Sequence, residues 1–182
     1  MSRGREQIKN LLGDYKGVIV TDGYNAYDYF PLRQRCWAHL LREFKKYAEK
    51  NSEVDAQYTR IKDLYMIMKE LHNGLPSAEA IEKIKAEFQD IVTCLSAIQQ
   101  GRKLTTHLQN GGDDWFTALY YPNVPLDNNH AERGLRHIVL HRKMMGCYRN
   151  EKGKRFIDIV ISTFQTWKLQ KKNIFQELCA LG

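Results

Sequence analysis

No apolar run in this 182-residue chain approaches the roughly 18 residues of a membrane-spanning helix. The best stretch, Phe156 to Phe164, is about half that length and is interrupted by Asp158. The N-terminal segment MSRGREQIKNLLGDYKG has no apolar core, so no secretory leader is expected. Cysteine is scarce: Cys36, Cys94, Cys147 and Cys179 stand far apart, with no CxxC pair. That spacing argues against a disulfide scaffold and for reduced thiols in the cytoplasm. No zinc-finger or helix-turn-helix spacing, internal repeat or low-complexity tract occurs. What remains is a chain with 43% hydrophobic residues, enough for one domain with a real core.

Acidic residues are also scarce, but only locally. From His130 to Lys172 eleven Lys or Arg face three acids, a net of +8. The other residues hold 17 basic and 18 acidic side chains, a net of −1. A basic third on a neutral remainder fits a polyanion partner, most simply nucleic acid. A solvated basic surface that serves solubility has the same composition.

The β-branched run Val18-Ile19-Val20 predicts a short buried strand ending at Thr21-Asp22-Gly23, and Arg33 to His39 predicts a second. From Leu40 the apolar period becomes helical. A helix from about Val54 to His72 is closed by Asn73-Gly74, and Ser77 caps another running to about Gln100. Trp115 to Tyr121 predicts a short aromatic helix or turn. A helix follows from Asp127 or Asn128 to about Met145, with Leu135, Ile138 and Val139 facing a core. A basic loop, Arg149 to Arg155, precedes a helix over Arg155 to Lys168, and a tail helix spans Asn173 to Ala180. Trp167 is expected in the core, and Trp37 could pack there or stack on bases.

Asp22 falls at the carboxyl end of a strand, where α/β proteins collect ligands, and its carboxylate could hold Mg²⁺. The same Asp-Gly pair is equally at home as a plain turn. Glu132 lies one turn into a helix beside Arg133 and Arg136, as a metal-binding carboxylate or as a helix-dipole partner. Convergence of the two on divalent metal would suit phosphodiester chemistry. Cys36, His39, His137 and His141 offer a rival, cysteine-poor zinc set.

The blocks LLGDYKGVIVTDGYNAY, CWAHLLREF and VPLDNNHAERGLRHIVLHRKMMG resemble, in order and spacing, the insertion-sequence-66 family of transposases. The resemblance runs along nearly the whole chain. It implies a DDE transposase whose α/β, ribonuclease-H-like core carries a mostly helical insertion before its last carboxylate. It places the second catalytic Asp on Asp22 and the catalytic Glu on Glu132, 110 residues apart. Both would bind Mg²⁺ or Mn²⁺. Cys36 and His39 match a supporting motif, with Asn128 and Asn129 in the DNN block. The best phosphate contacts are Arg133, Arg136, Arg142, Lys143, Arg149, Lys152, Lys154 and Arg155.

In that family the first catalytic Asp lies upstream, whereas only 21 residues precede Asp22 here. The expectation is therefore an N-terminally truncated catalytic domain spanning 1–182. Core strands would occupy 1–39, the helical insertion 40–110, and the Glu-bearing and C-terminal helices 111–182. Its function is Mg²⁺-dependent DNA cleavage and strand transfer as part of a transposase. The alternative is an inactive remnant that binds DNA or a protein partner. Transposon ends and target DNA are the expected partners, with self-association or pairing with a full-length transposase, no membrane, and a nucleoid-associated cytoplasmic location. An incomplete sheet also leaves an unpaired edge that favours self-association.

Overall fold

The computed structural model describes residues 3–146 and 150–180, and the chain divides into two compact units, Met1–Asn128 and Asn129–Gly182. The first unit opens with helix α1 (Arg3–Leu12), then strands β1 (Ile19–Thr21) and β2 (Arg33–Arg35). The strands pair in parallel, with Ile19 opposite Arg33, Val20 opposite Gln34 and Thr21 opposite Arg35. Their connection carries a 3₁₀ turn at Asn25–Tyr27 and buries Ala26 and Phe30 against the strands' unit.

Helix α2 (Trp37–Ala48) begins directly after β2, so the second strand is shorter than its sequence suggests. The cause is local: Cys36 N donates to Thr21 O at 2.8 Å, the last ladder-like bond, and Cys36 then acts as the helix N-cap. Trp37, Leu40, Phe44 and Ala48 form the buried stripe of α2 at spacings of three and four. Helix α3 (Ser52–His72) is capped by Asn51, whose side chain accepts from Val54 N at 3.0 Å. Helix α4 (Ala78–Ala97) is capped by Ser77 as expected, and α5 (Arg102–Gly111) follows a 3₁₀ turn. The stripes of α2 to α5 meet in one apolar core. Trp37 and Trp115, both buried, are its centre, with their rings crossed 5.7 Å apart. Trp37 is thus a core residue and not a base-stacking platform.

Two 3₁₀ turns, Gly112–Trp115 and Thr117–Tyr120, carry Trp115, Ala118 and Leu119 into that core. They are tied to β2 by Gln34, a fully buried amide. Its Nε2 donates to Arg35 O at 2.7 Å and Trp115 O at 3.1 Å, and its Oε1 accepts from Ala118 N at 2.6 Å.

The second unit comprises α6 (Asn129–Met145), α7 (Glu151–Leu169) and α8 (Ile174–Cys179). Gln165 Nε2 donates to Gly134 O at 2.7 Å, linking α7 to α6. Helix α7 starts earlier than expected because Asn150 caps it, accepting from Gly153 N at 2.8 Å. The expected basic loop is therefore helical from Glu151 onward. None of the described residues of this unit is buried: Leu135, Val139, Phe156 and Ile159 are about half exposed or more, and Trp167 is half-buried against Phe164. The expectation of a core around Leu135, Val139 and Trp167 is not met, because three amphipathic helices have too little apolar surface to enclose one. No helix among the described residues is long and apolar enough to cross a membrane.

Candidate active-site cleft and basic helices

Asp22 immediately follows β1, and its Oδ1 accepts from Tyr24 N at 3.0 Å. This Asx turn requires Gly23, whose φ is +91°, a conformation that a side chain strains. A Cβ at Gly23 would also collide with Arg35 Nη1. Arg35, 9% exposed, lies packed beneath the turn, with Nη2 donating to Asn110 O at 3.3 Å.

Asp22 borders a cleft of about 310 Å³ lined also by His39, Glu43, Tyr47, Lys103, Leu104 and His107. His39 and Glu43 are one turn apart on α2, as Lys103 and His107 are on α5. Residues of α2 and α5 thus border the strand end that carries Asp22. The His39 ring nitrogens lie 3.4 and 3.5 Å from Arg42 Nη2. Glu43 pairs with Lys46 at 2.8 Å. His107 packs edge-on against Trp115, and burial holds its pKa below the usual 6.5, helped by the nearby Arg35 charge and opposed by Glu43.

The other sequence-predicted residues of this unit form a clamp. Cys36 Sγ lies 3.0 Å from Asn128 Oδ1 and accepts from Asn128 N at 3.4 Å. Trp37 N donates to Leu126 O, and Tyr65 OH to Asp127 Oδ2, both at 3.0 Å. Burial, with Asp127 adding to it, pushes the Tyr65 phenol up to about 12. Burial also raises the Cys36 thiol, despite hydrogen bonds from neighbouring backbone, so Cys36 stays protonated. The thiol thus ties the segment leading into α6 to the start of α2. His137 and His141 have side chains outside the described residues.

In the second unit, Glu132 sits half-exposed in the first turn of α6. Asn129, Glu132, Arg133, Leu135, Arg136 and Val139 line one shallow cleft of about 540 Å³. Lys143 is exposed further along the helix, and Lys152, Lys154 and Arg155 are exposed in the first turns of α7. Cations at a helix start oppose the macrodipole and concentrate positive potential there. Lys154 lies 3.7 Å from Glu151. Arg149 and the side chain of Arg142 lie outside the described residues.

Glu43, Lys103, His107 and Arg35 were not singled out in the sequence. The His39-x-x-x-Glu43 spacing on a helix was the available signal; α5, which carries Lys103 and His107, has too few apolar residues to announce itself. Among the described residues no group of three His, Cys, Asp or Glu side chains is arranged to hold a metal ion. The donor side chains that border the same cleft as Asp22 are His39, Glu43 and His107.

The model of the transposase IS66 family matches residues 1–155, taking in the Asp22 turn, the Cys36 clamp and Glu132. The chain belongs to the IS66 transposase family. It is similar to two uncharacterized proteins of Sinorhizobium fredii, y4jO at 25% identity over 162 residues and y4jD at 24% over 194. These alignments cover 87% and 92% of this chain but 49% and 37% of the relatives. The IS66 chain thus spans half or less of the length of these curated relatives. No solved structure matches it.

Proposed function

We propose that this IS66-family chain contributes to DNA transposition as part of a DDE-type catalytic core, with Asp22 and Glu132 as reaction-centre carboxylates. The family match carries the reading, because it spans both residues in one block. The setting of Asp22 supports it: a carboxylate at the end of a parallel strand, fixed by an Asx turn and bordering a cleft. The short parallel sheet followed by helices agrees with a ribonuclease-H-like core bearing a helical insertion, which is part of the same proposal.

Mg²⁺ or Mn²⁺ is the cation such carboxylates would hold, and when bound it would activate the attacking oxygen and stabilise the leaving one. The work assigned to this chain's own residues is narrower. Asp22 and Glu132 offer carboxylate oxygens, while Arg133, Arg136, Lys143, Lys152, Lys154 and Arg155 hold backbone phosphates without reading sequence. Arg142 and Arg149 belong to the same proposed set. The same proposal has the protein act on DNA in the nucleoid, with a full-length transposase or a second copy completing the assembly.

Nicking of supercoiled plasmid tests the reading. Wild-type protein, alone or with a full-length IS66-family transposase, should nick DNA with Mg²⁺ or Mn²⁺. Asp22→Asn and Glu132→Gln should each abolish nicking while leaving DNA binding intact. Salt-sensitive binding with no nicking in either format would reduce the function to binding.

A further inference from the structure

A second cleft, of about 520 Å³, adjoins the Asp22 cleft and shares Tyr47 and Lys103 with it. Its other walls are Lys50, Asn51, Gln99, Gln100 and Arg102. The two differ sharply in charge. The Asp22 cleft contains both carboxylates, Asp22 and Glu43, whereas the second is lined by three cations and no acid. Lys50, Arg102 and Lys103 are all exposed, and none pairs with an acidic side chain among the described residues. Three other lysines of the same unit, Lys46, Lys83 and Lys85, bridge Glu43, Glu79 and Asp113, whereas Lys62 and Lys69 stand apart from one another on α3 with no such bridge among the described residues.

Three neighbouring cations without acidic partners repel one another, and a polyanion relieves that repulsion. Phosphates spaced along a strand fit a row of long, mobile cations better than a single small anion does. Tyr47, half-buried on the wall common to both clefts, marks where such a strand would pass from the basic cleft to the acidic one.

We propose that Lys50, Arg102 and Lys103 form a DNA-backbone track on the helical part of the first unit, leading a strand toward Asp22. This rests on the transposition reading, since it takes DNA as the ligand of the Asp22 cleft. It adds binding residues of the first unit to those proposed on the basic helices of residues 129–182. The track holds phosphates and carries no base specificity.

The test is a salt titration of the full chain binding a short fluorescein-labelled duplex of mixed sequence. Lys50→Gln, Arg102→Gln and Lys103→Gln together should lower the slope of log affinity against log salt by about 2.7, or 0.9 per lost contact. Between about 50 and 200 mM salt that change amounts to roughly a 40-fold weaker salt dependence. The exposed triple Lys62→Gln, Lys69→Gln and Lys83→Gln, with the same loss of charge, should leave the slope nearly unchanged. Circular dichroism should show both variants folded, and the pair Arg102→Gln and Lys103→Gln, with an expected loss of about 1.8, repeats the test with less perturbation.

An unchanged slope in the track variant, beside a reduced one in Lys152→Gln, Lys154→Gln and Arg155→Gln, overturns the track and leaves the DNA reading standing. Equal losses in track and control variants overturn it as a net-charge effect. Absence of wild-type binding even at low salt overturns the track and the reading together.

Discussion

Gln34 has no exposed surface, yet every hydrogen-bonding role of its amide toward the 3₁₀ turns is filled. Gln34→Leu removes two donors and an acceptor: Ala118 N is left unpaired in the core, and Trp115 O keeps only the bond from Trp37 Nε1 at 2.8 Å. The expected cost is about 1–3 kcal/mol, measured by urea unfolding followed at tryptophan fluorescence. A loss below about 0.5 kcal/mol would show that water replaces these bonds. His107 gives a pH-dependent counterpart. Its folded pKa is lowered, so the fold favours the neutral ring while the unfolded chain takes up a proton near 6.5. Its contribution to stability is fully present above that value and is lost as pH falls below it. His107→Gln should therefore reduce the fall in melting temperature between about pH 7.5 and 5.5. An identical fall in wild type and variant would assign that slope to other groups.

At the scale of elements, legibility followed apolar periodicity. Helices α3 and α4 could be read because Ile61, Leu64 and Met68, and Ile84, Phe88 and Ile91, recur at helical spacing and become the buried stripes. Their caps, Asn73-Gly74 at one end and Ser77 at the other, carried direct chemical meaning. Strand β2 was overread because RQRCWAH alternates polarity, while the rotation into α2 is decided by a tertiary bond from Cys36 to Thr21. Helix α1 and α5 are polar and short, and tertiary contacts hold them where their own periodicity does not. The start of α7 was missed because three cations disguise a helix that Asn150 caps. The same distinction governs the site. Asp22, His39, Cys36 and Asn128 could be named from the sequence because they sit in compact motifs. The partnership of Cys36 with Asn128 spans 92 residues, and no local pattern encodes such a contact.

For the molecule as a whole, the distribution of burial is the dominant fact. The described core residues all precede Asn129, and the 129–182 unit exposes Leu135, Val139, Phe156 and Ile159. A helix that buries little apolar surface has only its own propensity and caps to resist opening, and local opening then costs far less than global unfolding. Native-state hydrogen exchange should reveal this directly. Amides in the middle of α3 and α4, around Leu64 and Phe88, should open only with global unfolding and show the steep denaturant dependence that accompanies it. Those in the middle of α6 and α7, around Arg136 and Val160, should exchange at least about 100-fold faster with little denaturant dependence, as sub-global openings do. The same order should hold for proteolysis, with early cleavage within 129–182 and a surviving fragment that ends near Asn128. Equal protection in both units would mean that α6 and α7 are covered in solution. In that case the exposed apolar side chains would belong to an interface, and Phe156→Glu with Ile159→Glu should return the exchange of α7 to the faster regime.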